Sequence, residues 1–259
     1  MIDKVKVARS FSRSASSYDS VAYFQRRVGE KLLSLLLTNK KSAPVNVCMD
    51  LGCGTGYFYP KLTQAYSDYI GVDLAEGMLN FIQAKDVNAA LICADAEQLP
   101  FASESIDIIY SNLALQWCND LSHLFKGLYR VLTPGGTLAL ATLGPRTLSE
   151  LKSAWAQVDN CVHVNHFYAS AAWSKAIVDA GFSIKKKHYE DCVLEYNKLQ
   201  ELTRELKLLG AHNVNHGQRE TLTGRKRLQH LLNLYEAYRL QGKLPATYEV
   251  YYYLIQKVK

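Results

Sequence analysis

Three aspartates stand at intervals that could together hold a cationic ligand bearing a nucleoside. Asp50 opens the run Asp50-Leu51-Gly52-Cys53-Gly54-Thr55-Gly56, with glycine at every second position after it. Glycines at a strand-to-helix turn let the backbone take positive φ and let a ligand approach where a Cβ would stand in the way. The dinucleotide fingerprint G-x-G-x-x-G seats a pyrophosphate on a helix N-terminus. Here the third glycine comes one residue early and an acid precedes the set, which suits an amino group better than a polyphosphate. The spacing favours S-adenosylmethionine, whose ammonium and sulfonium a carboxylate-rich pocket would hold; a glycine turn with no ligand is the plain alternative.

Asp73 follows Gly56 by 17 residues and closes the second apolar run. An acid there can accept both ribose hydroxyls, a geometry that serves NAD equally well, and taken singly it reads as a helix N-cap. Asp95 lies in Cys93-Ala94-Asp95-Ala96, where its carboxylate can accept from an adenine amino group while Ala96 offers a backbone N–H. By itself it too reads as a cap. In series, the three acids mark the carboxyl ends of three successive strands, the edge of an α/β sheet at which ligands bind.

The elements that must position these acids are short, apolar and β-branched. Residues 45–49, 69–72, 89–93, 106–110 and 137–141 each fit a strand buried on both faces. The stretches near 55–65, 75–85, 95–100 and 119–132 are long enough for crossover connections, so right-handed βαβ units and a doubly wound, mostly parallel sheet follow. Two further strands, about 182–195 and 246–256, bring the sheet to seven. Between them, 199–209 and 225–240 repeat apolar residues at helical spacing. The expected organisation is an N-terminal helical cap over 1–43, a ligand-binding α/β core over 44–145, and the remaining strands with a helical lid (about 197–241) over 146–259.

Composition narrows the class. The 259 residues are 48% hydrophobic and 21% charged, enough to bury a full core, and the longest apolar cluster, Leu32 to Leu37, is far short of a membrane span. Six cysteines (48, 53, 93, 118, 161, 192) without CxxC pairing argue against a zinc site and a secreted disulfide framework, so the cytosol fits best. The net charge of +6 is spread without a basic run, which disfavours nucleic acid and leaves room for an acidic carrier protein. The basic, serine-rich N-terminus has the composition of a transit peptide but no secretory apolar core.

Asp50 to Gly56, Asp73, Asp95-Ala96 and Leu128-Tyr-Arg-Val-Leu-Thr-Pro-Gly-Gly136 resemble, in order, the successive motifs of the class I methyltransferases with their Rossmann-like fold. Ser111-Asn-Leu-Ala-Leu-Gln-Trp-Cys118, Phe11 to Tyr18, residues 208–215 and residues 222–225 are similar to the malonyl-acyl-carrier protein O-methyltransferases of biotin synthesis, over nearly the whole chain. That resemblance implies methyl transfer from S-adenosylmethionine, leaving S-adenosylhomocysteine, to the free carboxylate of malonyl on acyl carrier protein or coenzyme A. The ester hides the charge so that the unit can be elongated to a pimeloyl precursor. It implies a cofactor site of Tyr18, Asp50, Gly52, Gly54, Gly56, Asp73, Leu74, Met78, Asp95, Ala96, Ser111 and Asn112. It also folds Phe11 to Tyr18 over the cofactor, against transit-peptide cleavage.

A malonyl carboxylate is ionised at neutral pH and needs no general base, so positioning should carry the reaction, with no catalytic triad and no metal. Tyr18, Gln116 and Trp117 are the positioning candidates. Arg146, in Gly144-Pro-Arg-Thr147, is the candidate cation for the carboxylate, with Gln116, Trp117 and Arg225 completing the substrate set. His163 and His166 suggest a metal, but no third ligand stands at matching spacing, so they read as capping or packing residues. The lid cations Arg204, Lys207, Arg219, Arg225, Lys226 and Arg227 are candidates to grip the acidic carrier. The other readings are a class I enzyme for another small carboxylate or a quinone-pathway ring, a non-catalytic adenosylmethionine-binding protein, and a nicotinamide oxidoreductase.

Overall fold

The computed structural model describes residues 2–39, 46–85, 87–211 and 224–258. The chain opens with helices α1 (Lys4–Val21) and α2 (Tyr23–Leu37), then alternates β1 (Val47–Leu51), α3 (Tyr59–Ala65), β2 (Asp68–Asp73), α4 (Glu76–Gln83) and β3 (Ala90–Cys93). There follow β4 (Ile106–Asn112), α5 (Leu121–Val131), β5 (Leu132–Leu143), α6 (Ser149–Trp155) and α7 (Ser170–Asp179). The last elements are β6 (Phe182–Tyr196), α8 (Leu199–Leu208), α9 (Arg225–Glu236) and β7 (Leu244–Lys257). The strands form one sheet in the order β3-β2-β1-β4-β5-β7-β6. Pairing is parallel except for β7, which runs antiparallel to both β5 and β6. The order reverses between β1 and β4, so the crevice for a ligand opens above those two strands.

Alternation along each strand divides the core in two. Ala139, Ala141 and Tyr252 face a cluster with Val28 and Leu32 of α2, Leu62 of α3, Leu151 of α6, Leu202 of α8 and Tyr235 of α9. Leu138, Leu140, Tyr251 and Tyr253 face the opposite cluster with Phe125 of α5 and Trp173 of α7. Both faces are therefore covered, which is why the central strands read as apolar runs rather than as an apolar–polar alternation.

Two expectations change in detail. The first strand is displaced two residues forward: Asp50 and Leu51 stay extended, paired with Gly71 and Val72 of β2, while residue 45 lies outside the described residues. The 95–100 connection holds no helix. Asp95 there spends its carboxylate on the Glu97 amide and on Lys4, and Pro100 disfavours the helical region at Leu99.

The serine-rich start of the chain is a packing face. The hydroxyls of Ser10 and Ser17 donate to the carbonyls of Gly210 and Leu208, both at 2.9 Å, and that of Ser14 donates to Lys207 at 3.5 Å. The final carbonyls of α8, orphaned by the helix end, thus find donors on α1. A Cβ on Gly210 would stand 2.9 Å from the Ser10 carbonyl, so the two helices meet at glycine contact distance. We expect Ser10→Ala with Ser17→Ala to remove about 2 kcal/mol from this junction. Amide exchange in α8 should then rise roughly 30-fold with the sheet unchanged; equal exchange in α8 would contradict the role.

Candidate active site

The carboxyl ends of β1, β2, β3 and β4 converge with one face of α1 around a cavity. Lys4, Phe11 and Tyr18 recur every seven residues, two helical turns, and all three line it. From the sheet side come Gly52 and Gly54, Asp73 and Leu74, Met78, Asp95 and Ala96, with Asn112 and Trp117 closing the wall. Gly52, Gly54 and Gly56 have φ of +80°, +54° and +76°. A Cβ on Gly52 would lie 2.2 Å from the Cβ of Ala114, whereas one on Gly54 would meet nothing and project into open space. The first glycine therefore serves packing and φ, and the second keeps the turn bare toward the cavity.

The acids are held by amides and one phenol. Asp73 accepts from the backbone of Gly54 at 2.9 Å and of Ala75 at 2.8 Å. Burial raises its carboxyl above the usual range even so, with the amides pulling the other way. Asp50 is 2% exposed and accepts from the Tyr69 hydroxyl at 3.0 Å. Burial pushes it up to about 7, against the pull of the Tyr69 bond and with Asp73 adding to the rise. Asp95 gives both oxygens to the Lys4 ammonium, at 2.7 and 2.6 Å, and Glu97 pairs with the same ammonium. Burial also raises the Tyr18 hydroxyl well above its ordinary range, reinforced by Asp73 and Asp19, so the phenol stays protonated.

α1 is fastened over this edge at several points. The Ile2 backbone N–H donates to Asn119, the Ser12 hydroxyl accepts from Gly77, and the Thr55 hydroxyl donates to Asp19. A second, roomier cavity of about 250 Å³ shares Phe11, Tyr18, Leu113 and Trp117 with the first. Its remaining walls are mostly apolar, with Leu148, Trp155, Phe167 and Tyr248 among them, plus Gln25, Gln116, His163 and Asn165. Gln116 donates to the Leu113 carbonyl at 2.7 Å while its buried Oε1 has no partner among the described residues, nor has Asn112 Oδ1.

Of the residues singled out in the sequence, Tyr18, Gly52, Gly54, Asp73, Leu74, Met78, Asp95, Ala96 and Asn112 are brought together at the first cavity. Gln116 lines the second, and Trp117 both. Asp50 lies beneath the turn in an adjoining hollow with Tyr18 and Asn112. Gly56 packs on Ile82, and Ser111 is fully buried, its hydroxyl given to the Leu51 carbonyl. Arg146 is not brought in. Its side chain is 62% exposed and its guanidinium takes Glu249 and Asp191, two acids that β7 and β6 place side by side. Arg225 to Arg227, Arg204 and Lys207 are exposed on α9 and α8, Arg219 lies outside the described residues, and His166 is exposed. Sequence reasoning missed Lys4 and Leu113 as cavity residues and placed Phe11 only within the segment that folds over the cofactor; the seven-residue recurrence on α1 was the available signal for Lys4. It read His163 as a capping or packing residue; the ring stacks on Trp155 and also stands in the wall of the second cavity.

Comparison with known proteins places this arrangement. Residues 49–140 match a family model described as a methyltransferase domain. Among solved structures, the YcgJ protein of Bacillus subtilis aligns over 89% of this chain and 99% of its own at a TM-score of 0.62 and 15% identity. A geranyl diphosphate C-methyltransferase of Streptomyces coelicolor, solved with S-adenosyl-L-homocysteine, aligns over 88% of this chain and 79% of its own at 0.53 and 15%. These share the fold. The biotin biosynthesis bifunctional protein BioHC of Cellvibrio japonicus is 45% identical over 99% of this chain, which spans about half, 51%, of that longer relative. The malonyl-acyl-carrier protein O-methyltransferase of a Methylovorus species is 43% identical over 97% of this chain and 88% of its own length. Likeness at that level along nearly the full length of both chains means that this chain belongs to the malonyl-acyl-carrier protein O-methyltransferase family.

Proposed function

We propose that the chain transfers a methyl group from S-adenosylmethionine to the free carboxylate of a malonyl group carried on acyl carrier protein. The observation that carries this reading is the pair of cavities joined at Tyr18 and Trp117: one ringed by strand-end acids, the other apolar with a few polar groups. The first suits a nucleoside with a cationic tail. Asp73 is placed for ribose hydroxyls and the bare Gly54 for close approach, while Asp50 and the unpaired Asn112 Oδ1 offer negative ends to an ammonium or sulfonium. An adenine amino group at Asp95 would share or displace the Lys4 ammonium.

When bound, the cofactor supplies a methyl carbon that forms a bond to the carboxylate oxygen as its bond to sulfur breaks, the electron pair leaving on sulfur. The protein's part is alignment and exclusion of water. Phe11 meets Trp117 edge-on with ring centroids 5.5 Å apart, so α1 and the turn at Leu115–Trp117 form an aromatic wall where the cavities join. Tyr18, held protonated, can donate a hydrogen bond without competing as a nucleophile. No general base is required, because the attacking oxygen is already ionised. The buried Oε1 of Gln116 suits an N–H donor, such as an amide of the pantetheine arm. The exposed cations of α8 and α9 face solvent where an acidic carrier could dock.

The decisive assay is tritiated methyl transfer to malonyl-carrier protein, followed by release of the label on ester hydrolysis. We expect label in the malonyl ester, with malonyl-coenzyme A and longer diacid thioesters separating the acceptor from a different small carboxylate. Reversing Arg225 and Lys226 to glutamate should raise KM for the carrier substrate about tenfold or more and spare a short malonyl thioester. Equal turnover on the carrier would remove α9 as its dock. Cofactor binding should also release a proton. Asp50 sits near 7 in the free protein, and a cation beside it favours the carboxylate. Affinity should therefore fall as pH drops below about 7, and calorimetry in buffers of differing ionisation enthalpy should show the released proton. Asp50→Asn should abolish that release.

A further inference from the structure

A carboxylate entering the second cavity needs a positive partner, and the described lining offers one residue able to carry that charge. No lysine or arginine is among the described residues lining it. His163 is there, its ring stacked on Trp155 with centroids 3.5 Å apart and planes 7° from parallel. Its Nε2 meets Asp159 Oδ1 at 2.7 Å, and the same oxygen accepts from the backbone of Cys161 at 3.0 Å. We infer that His163, oriented by Asp159 and clamped on Trp155, is the specificity-determining group that receives the acceptor's free carboxylate through Nδ1. The inference rests on the malonyl acceptor proposed above.

Burial alone would raise the Asp159 carboxyl. The His163 bond, the Cys161 amide and the charges of His163 and Arg227 on α9 more than offset it, so Asp159 remains an anion. A neutral imidazole donating to Asp159 from Nε2 presents a bare acceptor at Nδ1, which repels a carboxylate. The imidazolium donates from both nitrogens. A carboxylate at Nδ1 is therefore received by the imidazolium form, whose second N–H faces it. Ester formation removes the negative charge and with it the attraction to the imidazolium. Asp159 keeps the pair neutral overall, so the bound carboxylate is recognised without facing a full uncompensated cation that would blunt its attack. Cys161 also comes within 4.8 Å of these two side chains. The direct 2.7 Å contact is shorter than the ~3.3 Å that separates two ligand atoms on a tetrahedral zinc, and is that of a hydrogen-bonded pair.

The test compares a charged acceptor with its neutral product. For His163→Ala, KM for a malonyl thioester should rise about tenfold or more. Inhibition by the monomethyl malonyl thioester and binding of S-adenosylhomocysteine should hold within about twofold. His163→Gln, which keeps a donor, should recover part of the loss, and Asp159→Asn should move in the same direction as His163→Ala by less. If KM and product inhibition shift together, or neither shifts, the His163 assignment is overturned. Wild-type protein that binds S-adenosylhomocysteine yet leaves malonyl thioesters unmethylated would overturn the acceptor itself, and the inference with it.

Discussion

Burying carboxylates at one edge of a sheet is unfavourable unless something answers their charge, and the architecture follows from how that is done. Asp50 and Asp73 stand at the ends of neighbouring strands, beside the point where strand order reverses. The fold meets part of the demand from within, by the Tyr69 hydroxyl and by the amides of Gly54 and Ala75. The Gly54 amide reaches Asp73 from a turn that passes through positive φ at residues 52, 54 and 56, which glycine adopts without strain. The acids and the glycines are thus one device: the backbone bends to solvate the anions and leaves its open side bare. What remains unanswered shows as the raised Asp50, a group that gains from a cation placed beside it.

The same demand explains the N-terminal helix. A seven-residue recurrence lays Lys4, Phe11 and Tyr18 over the acidic edge, while Ser10, Ser14 and Ser17 turn toward α8 and Asp19 reaches the glycine turn through Thr55. One helix therefore touches the acidic sheet edge, the second cavity and α8. Moving α1 to admit a ligand must break contacts to α8, so opening of the two cavities is tied together by covalent continuity rather than by any long-range relay.

Much of this was legible in the chain. The strands were readable because burial on both faces leaves nothing but apolar runs, and the three aspartates because their spacing repeats a strand plus its crossover. Arg146 shows where reading stops. It follows β5 in the chain, yet its direction is set by Glu249 and Asp191, which come together only through the antiparallel register of β6 and β7. Likewise Ser10 meets Gly210 across 200 residues, and no local pattern could distinguish a serine-rich helix face from a targeting composition. The 95–100 connection depends on distance in the same way, since Lys4, from the start of the chain, takes both Asp95 oxygens.

The division into an acidic and an apolar cavity also bears on rate. In the proposed transfer a cationic sulfonium and an anionic carboxylate become two neutral products, so charge disappears along the reaction coordinate. Water solvates the separated ions better than the transition state in which they are partly cancelled, and so opposes the step. A junction walled by Phe11, Leu113 and Trp117 withdraws that solvation where the methyl must cross. The cost is bringing each ion in, and the two cavities share it: buried acids receive the cation on one side, and the neutral Asp159–His163 pair receives the anion on the other. Neither partner is held so strongly that cancelling its charge forfeits a full ion pair. An arginine facing the carboxylate directly would bind the ground state more tightly and give much of that gain back in the barrier. Glu249 and Asp191 hold Arg146 away from that position.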